Sequence, residues 1–108
     1  MGSSSDGLIQ QLRAFRRKVS RRYPIQKMVL FGSRAKGEAR RDSDVDLIIV
    51  SDSFRRKNAV DRAYLMRLEW DLDYAVDFLC YTPEEFRVFS EAPGMVRQAL
   101  REGRTIPA

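Results

Sequence analysis

The chain has 108 residues, 44% hydrophobic and 32% charged, with 20 Lys and Arg against 15 Asp and Glu. That length supports one domain with a real core and leaves little room for a second module, while the net charge of +5 favours anionic partners. No apolar run approaches the roughly 20 residues that cross a bilayer, and with no histidine the usual imidazole base and the commonest zinc ligand are both excluded.

Residues 1–7 lack the basic and apolar segments of a secretion signal, so a flexible lead-in is expected there, followed by a single domain over residues 8–108 in the cytoplasm. Leu8, Leu12, Phe15 and Val19 recur at three or four residues and predict an amphipathic helix, capped by Asp6 and ended by Pro24. A short strand over residues 26–31 runs into the turn Gly32-Ser33, a brief helix at residues 34–36 and a break at Gly37. A polar loop over residues 38–43 leads to a second strand, residues 44–50. On it Asp44, Asp46 and Ile48 share one face, and Val45, Leu47 and Ile49 form the core face. Asn58 and Asp61 mark the start of a helix with an apolar stripe of Val60, Tyr64, Leu68 and Leu72. A third strand covers residues 75–81. Thr82-Pro83-Glu84-Glu85 is a strong helix start, with Phe86 and Phe89 expected to face inward. Pro93-Gly94 precedes a last helix, residues 95–102, closed by Gly103. This order predicts an α/β (α+β) fold: a small mixed sheet with helices packed mainly on one side.

Asp44 and Asp46 carry the most information. On a strand they lie on one face about 6.5 Å apart along the chain, a pincer for a divalent metal. Magnesium takes hard oxygen ligands together with waters and substrate phosphates, so the pair beside a Gly-Ser turn suits a metal-bound nucleotide triphosphate. Asp77, in an apolar strand, is costly to bury without a partner and completes a candidate triad. Its alternatives are an exposed edge position or a salt bridge to an arginine. Asp71 and Asp73 compete for that role from a helix end and its turn. Cys80 reads as a buried, inert thiol rather than a nucleophile. Four basic clusters, Arg16-Arg17-Lys18, Arg21-Arg22, Arg40-Arg41 and Arg55-Arg56-Lys57, suit nucleotide, RNA or an acidic protein surface, or simply a solvated face. Arg40-Arg41 precedes the carboxylates and is placed to reach phosphate.

Leu30-Phe31-Gly32-Ser33-Arg34-Ala35-Lys36-Gly37 followed by Ser43-Asp44-Val45-Asp46-Leu47 resembles the signature of the DNA polymerase beta-like nucleotidyltransferase superfamily, and the short chain resembles its minimal nucleotidyltransferase branch. The resemblance implies the polymerase beta-like fold and a metal-dependent transfer of a nucleoside monophosphate. Gly32 and Ser33 would hold the triphosphate, with Arg34 and Lys36 as phosphate neighbours. Asp44 and Asp46 would bind two magnesium ions. Asp77 would complete one metal site and assist deprotonation of the acceptor hydroxyl, with pyrophosphate leaving. Larger members add a domain that this chain lacks, so a second copy or another protein would complete the acceptor site. Minimal members pair with a small helical toxin of the HEPN class and act as antitoxin, moving AMP from ATP to a toxin tyrosine. Transfer to an RNA end or to a small molecule such as an aminoglycoside, and neutralisation of a partner by binding alone, are the other readings.

Overall fold

A computed structural model describes residues 4–37 and 44–108, with side chains from residue 7 onward. The elements are α1 (Ser4–Ser20), β1 (Lys27–Phe31), α2 (Ser33–Lys36), β2 (Val45–Val50), a 3-10 turn (Asp52–Phe54), α3 (Ala59–Glu69), β3 (Val76–Tyr81), α4 (Pro83–Glu91), α5 (Met95–Glu102) and β4 (Arg104–Thr105). The sheet order is β3-β2-β1-β4. β1 pairs antiparallel with β2 and β4, and β2 pairs parallel with β3 through the α3 crossover. The expected mixed sheet is therefore present. The 3-10 turn and β4 are additions, too short to leave a periodic signal in the sequence.

Period-two alternation divides the sheet into two faces. Leu30, Leu47, Ile49 and Phe78 point to the larger core, which α1 closes with Leu8, Leu12, Phe15 and Val19, all at most 2% exposed. Phe15, Trp70 and Phe78 pack ring against ring at 5.0–6.0 Å between centroids, joining α1, the end of α3 and β3. Val29, Ile48 and Val50 point the other way and are covered by Val96 and Ala99 of α5, with Phe86 of α4 alongside. The larger core lies under α1 and α3, and α5 with α4 adds a smaller layer across half of the second face.

The C-terminal segment is tied back to the start of the chain. Ile106 is fully buried, its N–H donates to Met28 O at 2.8 Å, and its carbonyl accepts from Arg16 Nη1 at 2.7 Å. Arg16 also donates to Ile25 O at 3.1 Å. This member of the first basic cluster therefore works inside the molecule.

Along α3 itself the apolar stripe of the sequence faces away from the core, while Leu72, beyond the helix end, packs against it. Val60, Tyr64 and Leu68 are 77%, 59% and 61% exposed, whereas Arg62 and Met66 are buried. Burial of Arg62 determines this rotation. Its guanidinium donates to Lys57 O (2.8 Å), to the edge-strand carbonyl of Cys80 (3.0 Å) and to both carboxylate oxygens of Glu85 (2.6 and 3.3 Å). Glu85 at the same time accepts from Thr82 N–H at 2.9 Å, while Thr82 Oγ1 accepts from Glu85 N–H at 3.2 Å, forming a full capping box. One ion pair thus holds α3, the free edge of β3 and the start of α4 together. Phe89 also departs from expectation: it is 47% exposed, its ring 5.3 Å from that of Tyr81, while Phe86 is partly buried.

Arg62→Ala should cost about 2 kcal/mol, because it strands the Lys57 and Cys80 carbonyls and takes the partner from a half-exposed Glu85 carboxylate; urea unfolding measures this. The Arg62 guanidinium holds the Glu85 carboxyl below its usual value. A depressed acid contributes stability above its unfolded pKa, so this contribution should fade as pH drops below about 4. Glu85→Gln should flatten that part of the pH–stability curve.

Candidate functional site

β2 lies between β1 and β3 in a register that pairs Phe31 with Asp46 and Asp46 with Asp77. Residues directly opposite on neighbouring strands project to the same face, so Asp46 and Asp77 stand side by side. Asp44 lies one residue before β2 begins. Further along β2 the same face continues as Ile48 and Val50, which α5 covers. The carboxylates therefore occupy the uncovered end of a face whose other end is packed.

Asp46 is half-buried, whereas Asp44 and Asp77 are exposed. Burial raises the Asp46 carboxyl above its ordinary range, and the charges of Asp77 and then Asp44 raise it further. Asp46 thus feels both neighbours. Carboxylate oxygens are the donors that magnesium takes, and two anionic neighbours around a partly desolvated third form a field that a hard cation relieves. By donor chemistry the residues fit a divalent ion. Among the described residues no three acidic side chains are already gathered into a closed ligand set.

The Gly32 turn is built against Asp46. Gly32 has φ 77° and ψ −159°, and a Cβ there would lie 2.5 Å from Asp46 Oδ2. Only glycine combines that backbone conformation with that approach. Ser33 opens α2, where the amides of Ala35 and Lys36 donate to Gly32 O at 3.1 and 3.4 Å, and Gly37, at φ 73°, closes the turn onto Ser33 O. The structure therefore brings Gly32, Ser33, Asp44, Asp46 and Asp77 to one end of the sheet.

The two basic residues of α2 each meet a further neighbour. The Arg34 guanidinium lies 4.8 Å from the centre of the Tyr74 ring, and Lys36 Nζ lies 3.7 Å from Glu102 Oε2 of α5. Arg40 and Arg41 fall outside the described residues. Asp71 pairs with Lys18 at 3.3 Å, Arg22 with Glu69 at 3.7 Å, and Arg55 with Asp52 and Glu84. Much of the clustered positive charge is thus spent within the fold. Burial pushes the Cys80 thiol up to about 12, which leaves it protonated and unreactive at neutral pH.

α5 supplies residues that the sequence reading passed over. A groove of about 190 Å³ runs between the Gly32 turn and α5, lined by Phe31, Lys36, Met95, Gln98, Ala99 and Glu102 among others. A larger concavity of about 470 Å³, with Arg97 and Arg101 on its wall, adjoins it by sharing Gln98 and Glu102. The available signal was the spacing of Arg97 and Arg101 at i and i+4, opposite the inward pair Val96 and Ala99.

The family model of the nucleotidyltransferase domain matches residues 12–106. No curated protein matches the chain. Among solved structures, a candidate nucleotidyltransferase from Sulfolobus solfataricus is 19% identical with a TM-score of 0.67, over 94% of this chain and 81% of that one. A toxin–antitoxin complex with AMP-PNP gives 23% identity and a TM-score of 0.61, over 89% and 73% of the two chains. The toxin–antitoxin MntA-HpeT, as a mutant with two aspartates two residues apart changed to glutamate, gives 20% and 0.54, over 97% and 73%. At these identities the likeness establishes the fold, and among the described residues no helix is long and apolar enough to cross a membrane.

Asp77→Asn should lower the Asp46 pKa, because it removes one of the two charges that add to the effect of burial, while burial and Asp44 still hold the carboxyl above its ordinary range; carboxyl-carbon NMR titration in a chelator reads this directly. A raised acid weakens the fold as pH climbs through its folded pKa. The same variant should therefore melt higher than the parent at pH 7 without metal, with the gain vanishing below about pH 4.

Proposed function

Since the chain belongs to the nucleotidyltransferase domain family, we propose that it transfers a nucleoside monophosphate, AMP from ATP, to the tyrosine hydroxyl of a small helical toxin of the HEPN class and so acts as its antitoxin. The observation that carries the chemistry is the register that sets Asp77 beside Asp46, with the Gly32 turn against the same carboxylate. Magnesium, when bound by Asp44, Asp46 and Asp77, neutralises phosphate charge and activates the acceptor oxygen. Gly32 and Ser33 hold the triphosphate through backbone amides and the serine hydroxyl, which leaves the α-phosphorus facing the row of aspartates.

The acceptor oxygen forms a bond to the α-phosphorus as the bond to the β-phosphate bridging oxygen breaks, and pyrophosphate departs with that electron pair. Asp77, the more exposed member of the Asp46–Asp77 pair, takes the acceptor proton. An open site of this kind needs an acceptor presented from outside. The likeness in fold to chains of two toxin–antitoxin complexes supports a protein in that role.

Incubation with α-labelled ATP, magnesium and a co-expressed HEPN toxin should label a toxin tyrosine. Asp44→Asn and Asp46→Asn should each reduce labelling about a thousandfold or more with the fold intact, since each removes a charge at nearly constant volume. Labelling of RNA or of a small molecule in place of the toxin would replace the acceptor. Near-normal labelling by either variant would overturn the ligand assignment.

A further inference from the structure

The groove between the Gly32 turn and α5 has the size and lining of a subsite for part of a ligand. Whole small-molecule pockets run to about 300–1,000 Å³, so a groove of about 190 Å³ accommodates one ring system. It begins at Gly32 itself, beside Asp46, and so continues directly from the candidate phosphate turn. Phe31, Ala99 and the 52%-exposed Met95 supply the apolar part of its lining. A thioether and an aromatic ring suit the faces of a flat heteroaromatic ligand.

The polar part of the lining is oriented. Glu102 Oε2 lies 3.7 Å from Lys36 Nζ and accepts from Gln98 Nε2 at 2.8 Å. A carboxylate only accepts, so the Gln98 amide must turn its NH₂ toward Glu102, which leaves its carbonyl oxygen available as an acceptor on a residue that lines the groove. A free carbonyl recognises a donor. Adenine and cytosine carry an exocyclic amine at the edge where guanine and uracil carry a carbonyl.

Resting on the nucleotidyl-transfer reading above, we propose that this groove holds the nucleotide base, and that Gln98, fixed by Glu102, selects an amine-bearing base over a keto base. Lys36 then acts through Glu102 rather than on phosphate. Gln98 contacts the base and Glu102 is a positioning residue: once Glu102 is neutral, the Gln98 amide is free to rotate and present either end.

The test is equilibrium binding of ATP and GTP to the purified full chain with magnesium, by calorimetry or competition, repeated for Gln98→Ala and Glu102→Gln. Both residues are largely exposed on α5, and circular dichroism checks that the helix is kept. The parent should favour ATP, and Gln98→Ala should reduce the ATP-to-GTP affinity ratio about tenfold, the effect of one hydrogen bond. Glu102→Gln should lower the ratio in the same direction while Gln98 remains in place, a change in selectivity that a purely structural role would not produce. Equal binding of ATP and GTP by the parent, or an unchanged ratio in Gln98→Ala, would overturn the base assignment and leave nucleotide binding standing. Binding of neither nucleotide would overturn the nucleotidyl-transfer reading together with this inference.

Discussion

Everything at the active end of the molecule depends on how β2 is paired. It is the one strand with a partner of each sense, antiparallel β1 on one side and parallel β3 on the other. Because side chains alternate, a slip of one residue against β3 would turn Asp77 to the opposite face from Asp46 and place Val76 or Phe78 there instead. The apolar residues enforce the register. Val45, Leu47 and Ile49 must meet the large core, and the smaller core under α5 claims Ile48 and Val50. Two hydrophobic faces on one strand leave a single alignment, and among the described residues the carboxylates take an end that neither core covers.

The same division explains why an acidic row is tolerable in so small a fold. Burying three carboxylates together would be costly. Here α5 stops short, so two remain exposed and only Asp46 is partly desolvated. The Gly32 turn covers that one by close approach of backbone rather than of a side chain. Arg62 meets the same cost by pairing: its guanidinium is divided among two carbonyls and a carboxylate.

Much of this was legible in the residues. The α1 stripe, the three main strands, the capping box at Thr82 and Glu85 and the place of Asp46 on the face opposite Val45, Leu47 and Ile49 all follow from periodicity and local hydrogen-bond chemistry. The rotation of α3 was not. Two stripes compete along that helix, and the apolar one, Val60-Tyr64-Leu68, yields to one built on Arg62 and Met66, because an arginine that satisfies a sheet edge and a helix cap is visible only once β3 and α4 are in place. The second core was hidden for a similar reason: Ile48 shares the face of Asp46, as expected, but its cover by α5 comes from a distant part of the chain. Nothing local marks Glu102 as a neighbour of Lys36, 66 positions earlier in the chain. Membership of the nucleotidyltransferase family agrees with the Gly-Ser and alternating-aspartate pattern from which that resemblance was first drawn.

The pairing of β4 with β1 bears on the order of assembly. Thr105 opposes Val29, and Ile106 fills a place in the core beside the first helix. Contacts that distant along the chain are the last to repay the entropy of closing their loop. The helical and crossover segments can therefore form early while the sheet lacks its outer strand, and the nascent domain presents β1 as an open edge until residues 104–106 arrive to seal it.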